Sequence, residues 1–118
     1  MKYFREEPLL DRKGVQIEIN TPEGDKGLTT GLYMYLVIGA YSPRQDFVLS
    51  TRELRSYNKV LDILDEEPKD GYWVFEDTDF SVAKKVVEYF APRITLLFGY
   101  APVMEDKLNG TLDKLEDK

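Results

Sequence analysis

Apolar residues recur along this chain with different spacings, and each spacing predicts an element. Val15, Ile17 and Ile19 alternate with Gln16, Glu18 and Asn20, the period of a half-buried strand. Before them Asp11-Arg-Lys-Gly14 has Asp at its start and Gly at its close, as a turn requires. With Leu9 and Leu10 on the other side, a small hairpin is predicted over residues 8–20. Residues 21–27, TPEGDKG, are polar and carry a proline and two glycines, and are expected to form a flexible surface loop. The spacing of Gly24 and Gly27 is not followed by Lys-Ser/Thr, so no phosphate-binding loop is predicted there.

Residues 28–42 hold the longest apolar run, Leu32 to Ile38. Its length favours a buried helix, capped by Thr29 or Thr30 and stopped at Ser42-Pro43. Its tyrosines and β-branched residues favour a central strand; the helix is the expectation taken. The polar tips of Tyr33, Tyr35 and Tyr41 need partners or water, which places one edge of this element near the surface. From Ser50 to about Glu66 the pattern is helical. Ser50 and Glu53 form a capping box, Leu49 and Leu54 are placed for a hydrophobic staple, and Leu54, Tyr57, Leu61 and Leu64 make one apolar stripe. Arg52, Arg55 and Lys59 lie off it, on a solvated face, and Pro68 closes the region.

Asp70-Gly71 reads as a turn and Tyr72–Phe75 as a strand, with Tyr72 and Val74 on one face and Trp73 and Phe75 on the other. Apolar residues on both faces imply a strand enclosed on two sides or facing a partner. Phe80, Ala83, Val86, Val87 and Phe90 have helical spacing, with Thr78 or Asp79 as the cap. Beyond Ala91-Pro92, residues 94–100 (ITLLFGY) fit a short helix or a strand. Val103, Met104, Leu108, Leu112 and Leu115 then form a weak amphipathic pattern broken at Asn109-Gly110. The fold class expected is α+β: a small hairpin or sheet packed on three to four helices. One domain spans residues 1–102, and an amphipathic tail spans 103–118.

Composition narrows the chemistry. The chain has 118 residues with no cysteine and no histidine. Disulfides, thiolate nucleophiles, Ser-His-Asp triads and His-based zinc sites are therefore excluded. Catalysis would rest on carboxylates, Lys or Tyr, and an enzyme is not expected. No apolar run reaches the roughly 20 residues that span a bilayer. The start, MKYFREEPLL, has acids and a proline where a signal peptide needs an apolar core, so a cytoplasmic location is expected. Residues 1–61 carry a net charge of +1 and residues 62–118 a net of −7. Such an acidic half repels phosphate backbones, so direct nucleic-acid binding is not expected.

Glu76, Asp77 and Asp79 raise the question of a metal site. An EF-hand starting at Asp65 would place Lys69 at a ligand position and Gly71 one place late. Carboxylates at a helix start instead favour the positive end of its dipole. A strand-to-helix junction is the expectation, with neither metal nor cofactor.

Leu10 with Asp11 and Gly14, then Leu28-Thr29-Thr30-Gly31, then Ser50 through Tyr57 stand in an order that resembles small acidic proteins of tailed-phage and prophage structural modules. The resemblance covers roughly residues 8–90, and the segment ITLLFGYAPVM departs from it. It implies an accessory or assembly protein, located in the host-cell cytoplasm or the virion, and it transfers no catalytic motif.

The functional expectation is a non-catalytic protein-binding or assembly factor able to self-associate. Its interface would draw on Tyr72, Trp73 and Phe75 of the aromatic strand and on Met104, Leu108, Leu112 and Leu115 of the tail, since aromatic residues are common interface anchors. The alternative is an acidic inhibitor that mimics nucleic acid in the basic groove of a DNA- or RNA-binding protein, with binding that weakens as salt rises. A carboxylate-only enzyme or metal-binding protein is the third reading.

Overall fold

The chain begins with a strand that sequence patterning does not announce. β1 (Lys2–Arg5) pairs antiparallel with β4 (Tyr72–Phe75), Phe4 opposite Trp73 and Lys2 opposite Phe75. Four residues turn only Phe4 inward, too few to establish a period, and the partner strand lies far along the sequence. Phe4, Trp73 and Phe75 are buried on the inner face, while Tyr3, Tyr72 and Val74 are half-buried on the other. The computed structural model of the chain describes residues 1–94 and 98–113. Expectations on 95–97 and on Leu115 lie outside the described residues.

The predicted turn at Asp11–Gly14 is present. The Asp11 carboxylate accepts from the amides of Lys13 and Val15, and Gly14 takes the left-handed conformation at φ 80°. Leu9, Ile17 and Leu28 then exchange backbone hydrogen bonds. The regular hairpin comes later: β2 (Glu18–Thr21) pairs antiparallel with β3 (Gly24–Gly27). Residues 24–27, expected as loop, are thus a strand. Asp25 and Lys26 both face solvent, so β3 has no apolar alternation, and its backbone bonds hold it.

α1 (Thr30–Gly39) is the helix expected from the apolar run, and the Thr29 hydroxyl caps it by accepting from the Leu32 amide. Tyr33, Met34, Val37 and Ile38 are fully buried. α2 (Thr51–Leu64) carries both bonds of the Ser50–Glu53 capping box. Its inward face differs from the predicted stripe. Val60 and Leu64 are buried, Tyr57 and Leu61 half-buried, and Leu54 exposed. Leu49, before the cap, is buried.

Asp70 and Gly71 both have positive φ, at 53° and 82°, between Lys69 and Tyr72, which exchange two backbone bonds. This is the Asp-Gly turn favoured in two-residue hairpins. α3 (Asp77–Phe90) buries Phe80, Ala83, Val86, Val87 and Phe90. Its cap is Glu76, which precedes the predicted Thr78 or Asp79 and makes no side-chain capping bond. Asp77 and Asp79 occupy the first turn, where the helix dipole favours them.

α4 (Ala101–Asn109) buries Met104 and Leu108 and packs on α3. The predicted boundary at residue 102 falls inside this helix, so the segment that follows it begins as part of the core. After Gly110, Leu112 lies beside Tyr3 and exchanges two backbone bonds with it. α1, α2 and α3 pack on one another, with the β1–β4 sheet against α2. The α+β class is the one observed: among the described residues, four α-helices with two two-stranded antiparallel sheets. None of the described helices is long and apolar enough to cross a membrane.

Candidate interaction surfaces

The residues predicted for an interface separate into three groups. Phe75, Met104 and Leu108 belong to the core, with 0–2% of their surface exposed. They cannot meet a partner without unfolding, which corrects the expectation placed on them. α4 shows apolar spacing because it packs on its own chain. Trp73 is also largely buried, yet it walls a cleft. Tyr72 and Leu112 stand at a different cleft, beside β1.

The Trp73 cleft has a volume of about 610 Å³ and lies at the start of α1. Glu6 forms part of its wall, its Oε1 accepting from the Gly31 amide at 3.0 Å and the Thr30 hydroxyl at 3.1 Å. A carboxylate is well placed at this end of a helix. Across from it, the Tyr35 hydroxyl donates to Asp65, and this bond raises the Tyr35 pKa above its ordinary value. Lys26 and Glu23 form an ion pair at 2.7 Å on the rim. Glu6 and Asp65 have no ion-pair partner among the described residues, so the cleft retains negative charge. Tyr35 is 38% exposed and adds an aromatic face.

Gly31 explains how Trp73 fits. A Cβ there would stand 2.4 Å from the indole Nε1, closer than any carbon can approach. The indole N–H is buried against this glycine and makes no hydrogen bond among the described residues. The sequence marks Gly31 only as part of a helix start.

The second cleft, of about 320 Å³, lies between β1 and the end of α4. Arg5 is exposed there, and Lys107 reaches Glu7 at 2.5 Å. The segment Thr111–Asp113 covers part of β1 beside it. Tyr3 N–H donates to the Leu112 carbonyl at 2.8 Å, Leu112 N–H donates to the Tyr3 carbonyl at 3.1 Å, and Lys2 pairs with Asp113. Two backbone bonds contribute about 1–3 kcal/mol together, and the exposed ion pair adds little. Against them, the Thr111 hydroxyl is buried without a partner among the described residues, a loss of about 1–3 kcal/mol. The cover is close to balanced.

A third surface joins aromatic and basic groups. Phe47 stacks on Tyr89 at 4.4 Å, Arg93 lies 3.9 Å from the Tyr89 ring centre, and Lys85 lies 5.5 Å from that of Phe47. The Tyr89 hydroxyl donates to Asp46, holding that carboxyl below its usual range, and Lys85 bonds Glu53. These groups satisfy one another and stitch the loop before α2 to α3.

The acids of the strand-to-helix junction do not converge. Asp77 takes the N-terminal ammonium at 2.9 Å, whereas Asp79 is buried. No group of three carboxylates able to hold a metal ion occurs among the described residues. Comparison of the chain with protein-family models, with curated proteins and with solved structures yields no match.

Proposed function

We propose that this chain is a non-catalytic protein-binding factor of the accessory or assembly type, phage-encoded and acting in the host cytoplasm or the virion. In this reading it takes a basic side chain of its partner in the cleft between Glu6, Tyr35, Asp65 and Trp73. One observation carries it: two carboxylates with no cationic partner among the described residues share a cleft with an exposed aromatic face. An arginine or lysine there gains Coulomb attraction and a cation–π contact. Both carboxylates are already oriented, Glu6 by Thr30 and Gly31 and Asp65 by Tyr35, so binding costs little reorganisation.

Trp73 is the only tryptophan, so its fluorescence reports on this cleft. Titration with a tryptophan-free, arginine-containing peptide at low salt should give a saturable change in emission. The change should weaken with added salt and weaken several-fold in Asp65→Asn. An equal response to an acidic peptide, or no saturable response at all, sinks this reading. Displacement of DNA from a basic protein, undiminished by Asp65→Asn, would favour the acidic-inhibitor reading, which rests on the −7 charge of the C-terminal half.

A further inference from the structure

We propose that the α2 face carrying Arg52, Arg55 and Lys59, with the groove beside it, is a second docking surface whose occupant is a short acidic segment of a protein partner. The inference goes beyond the reading above, and its surface is separate from the Trp73 cleft. That cleft meets α2 at Leu64 and Asp65, roughly 20 Å along the helix from Arg52.

Local physics disfavours cations on this face. Arg52 stands in the first turn of α2, close behind the Ser50 cap, where the helix dipole repels positive charge. Arg52 with Arg55, and Arg55 with Lys59, take the helical spacings at which like charges meet and repel. All three residues are exposed. None of their side chains has an ion-pair or hydrogen-bond partner among the described residues, although Asp62 follows Lys59 by one turn. Lys2, Lys26, Lys85 and Lys107, by contrast, each reach a carboxylate. Positions that break a local rule with no compensation inside the chain point to function.

The groove lies between α2 and the start of α3 and has a volume of about 380 Å³. Arg52 and Ser56 line it from α2, and Thr78, Ser81 and the largely buried Val82 line it from α3. Its two acids are already engaged: Glu53 bonds Lys85 and the Ser50 amide, and Asp77 takes the N-terminal ammonium. The groove therefore offers hydroxyl groups beside an uncommitted guanidinium, and its free charge is positive.

This geometry fits a peptide. At helical spacing the three cations fall within about 60° of the α2 circumference and along about 10 Å of its axis. An extended segment advances about 3.3 Å per residue and sends alternate side chains to one side, so carboxylates two residues apart can meet neighbouring cations. Arginine receives a carboxylate in bidentate fashion, and an apolar neighbour of that carboxylate fits beside Val82. Charge selects the peptide over nucleic acid. A duplex brings one negative charge per ~1.7 Å, and its length would run against the −7 of residues 62–118, whereas the few charges of a peptide stop at the face.

Fluorescence anisotropy of a labelled, tryptophan-free peptide rich in Glu and carrying one Leu tests the proposal. The full chain should bind it saturably at low salt, and sodium chloride should weaken the binding. Arg52→Gln combined with Arg55→Gln should weaken it several-fold. Arg12→Gln combined with Lys13→Gln makes the same change of charge at the exposed turn of residues 11–14, and should leave binding nearly unchanged. Replacing the peptide's Glu by Gln should abolish binding to the unaltered chain, a readout that depends on no variant folding. Equal losses in the two double variants overturn the proposal, because net charge alone then accounts for the binding. Absence of saturable binding overturns it too, as does a DNA oligonucleotide that displaces the labelled peptide more readily than the unlabelled peptide does. Trp73 emission should not respond to this peptide. Loss of its binding with an intact response to the arginine-containing peptide removes this inference alone, and the converse removes the cleft reading alone.

Discussion

Tyr33 shows how one side chain links packing to pH. It lies on the inner side of α1 with no exposed surface, and burial pushes its phenol up to about 12 from 10. The unfolded chain therefore releases this proton before the folded one does. Stability is complete below about pH 10 and declines as pH rises toward about 12, at up to about 1.4 kcal/mol per pH unit from this group. Denaturant midpoints measured from pH 9 to 12 should fall across that window. Tyr33→Phe should flatten the decline, and an unchanged slope in that variant would assign it to other groups. Tyr57 and Tyr41 are partnered differently: Tyr57 donates to the Ile38 carbonyl, and Tyr41 accepts from the Leu49 amide. The sequence shows that the Tyr41 hydroxyl needs a partner, and it reads Tyr57 only as part of an apolar stripe. It does not show which backbone groups partner these hydroxyls, because those groups meet through the packing of the loop between α1 and α2.

At the scale of elements, α2 separates what a sequence reveals from what it hides. Its start was legible because the Ser50–Glu53 box is local chemistry, as are the Thr29 cap and the Asp70-Gly71 turn. Its inward face was not, because orientation is set by α1, α3 and β4. Leu61 is one residue, about 100°, round the helix from Val60, and a broad apolar stripe does not fix its own centre. Val60→Ala should cost roughly 2 kcal/mol, through lost burial and the cavity left behind. Leu54→Ala should cost less than about 0.5 kcal/mol. Chemical denaturation of both variants decides the matter, and comparable losses would restore the predicted stripe. β1 and β3 escaped for two other reasons. β1 is too short for a period and pairs with a distant strand, while β3 has solvent on both faces. Of the candidate interface, the sequence located Trp73 but not Glu6, Tyr35 and Asp65 beside it, since tertiary packing alone brings these three together.

Across the whole molecule, the two ends of the described chain meet at one strand. β1 pairs with β4 on one side and with Leu112 on the other, and α4 carries the chain there across α3. The contributions along this return path are unequal. Met104 and Leu108 are buried, and losing a large buried side chain costs about 2–5 kcal/mol. That is a large share of the roughly 5–15 kcal/mol that holds a domain folded. Beyond Gly110, Thr111–Asp113 adds two backbone bonds, offset by the orphaned Thr111 hydroxyl. Truncation should therefore act as a step. A chain ending at Gly110 should keep its circular dichroism and melt in one cooperative transition, within about 5 °C of the full chain. A chain ending at Tyr100 loses α4, exposes the α3 surface beneath it, and should be largely unfolded at room temperature. Cooperative melting of the Tyr100 truncation near the full-chain midpoint would show that α4 is dispensable to the core and free to serve a partner. Collapse of the Gly110 truncation would show that the β1 edge cannot be left uncovered.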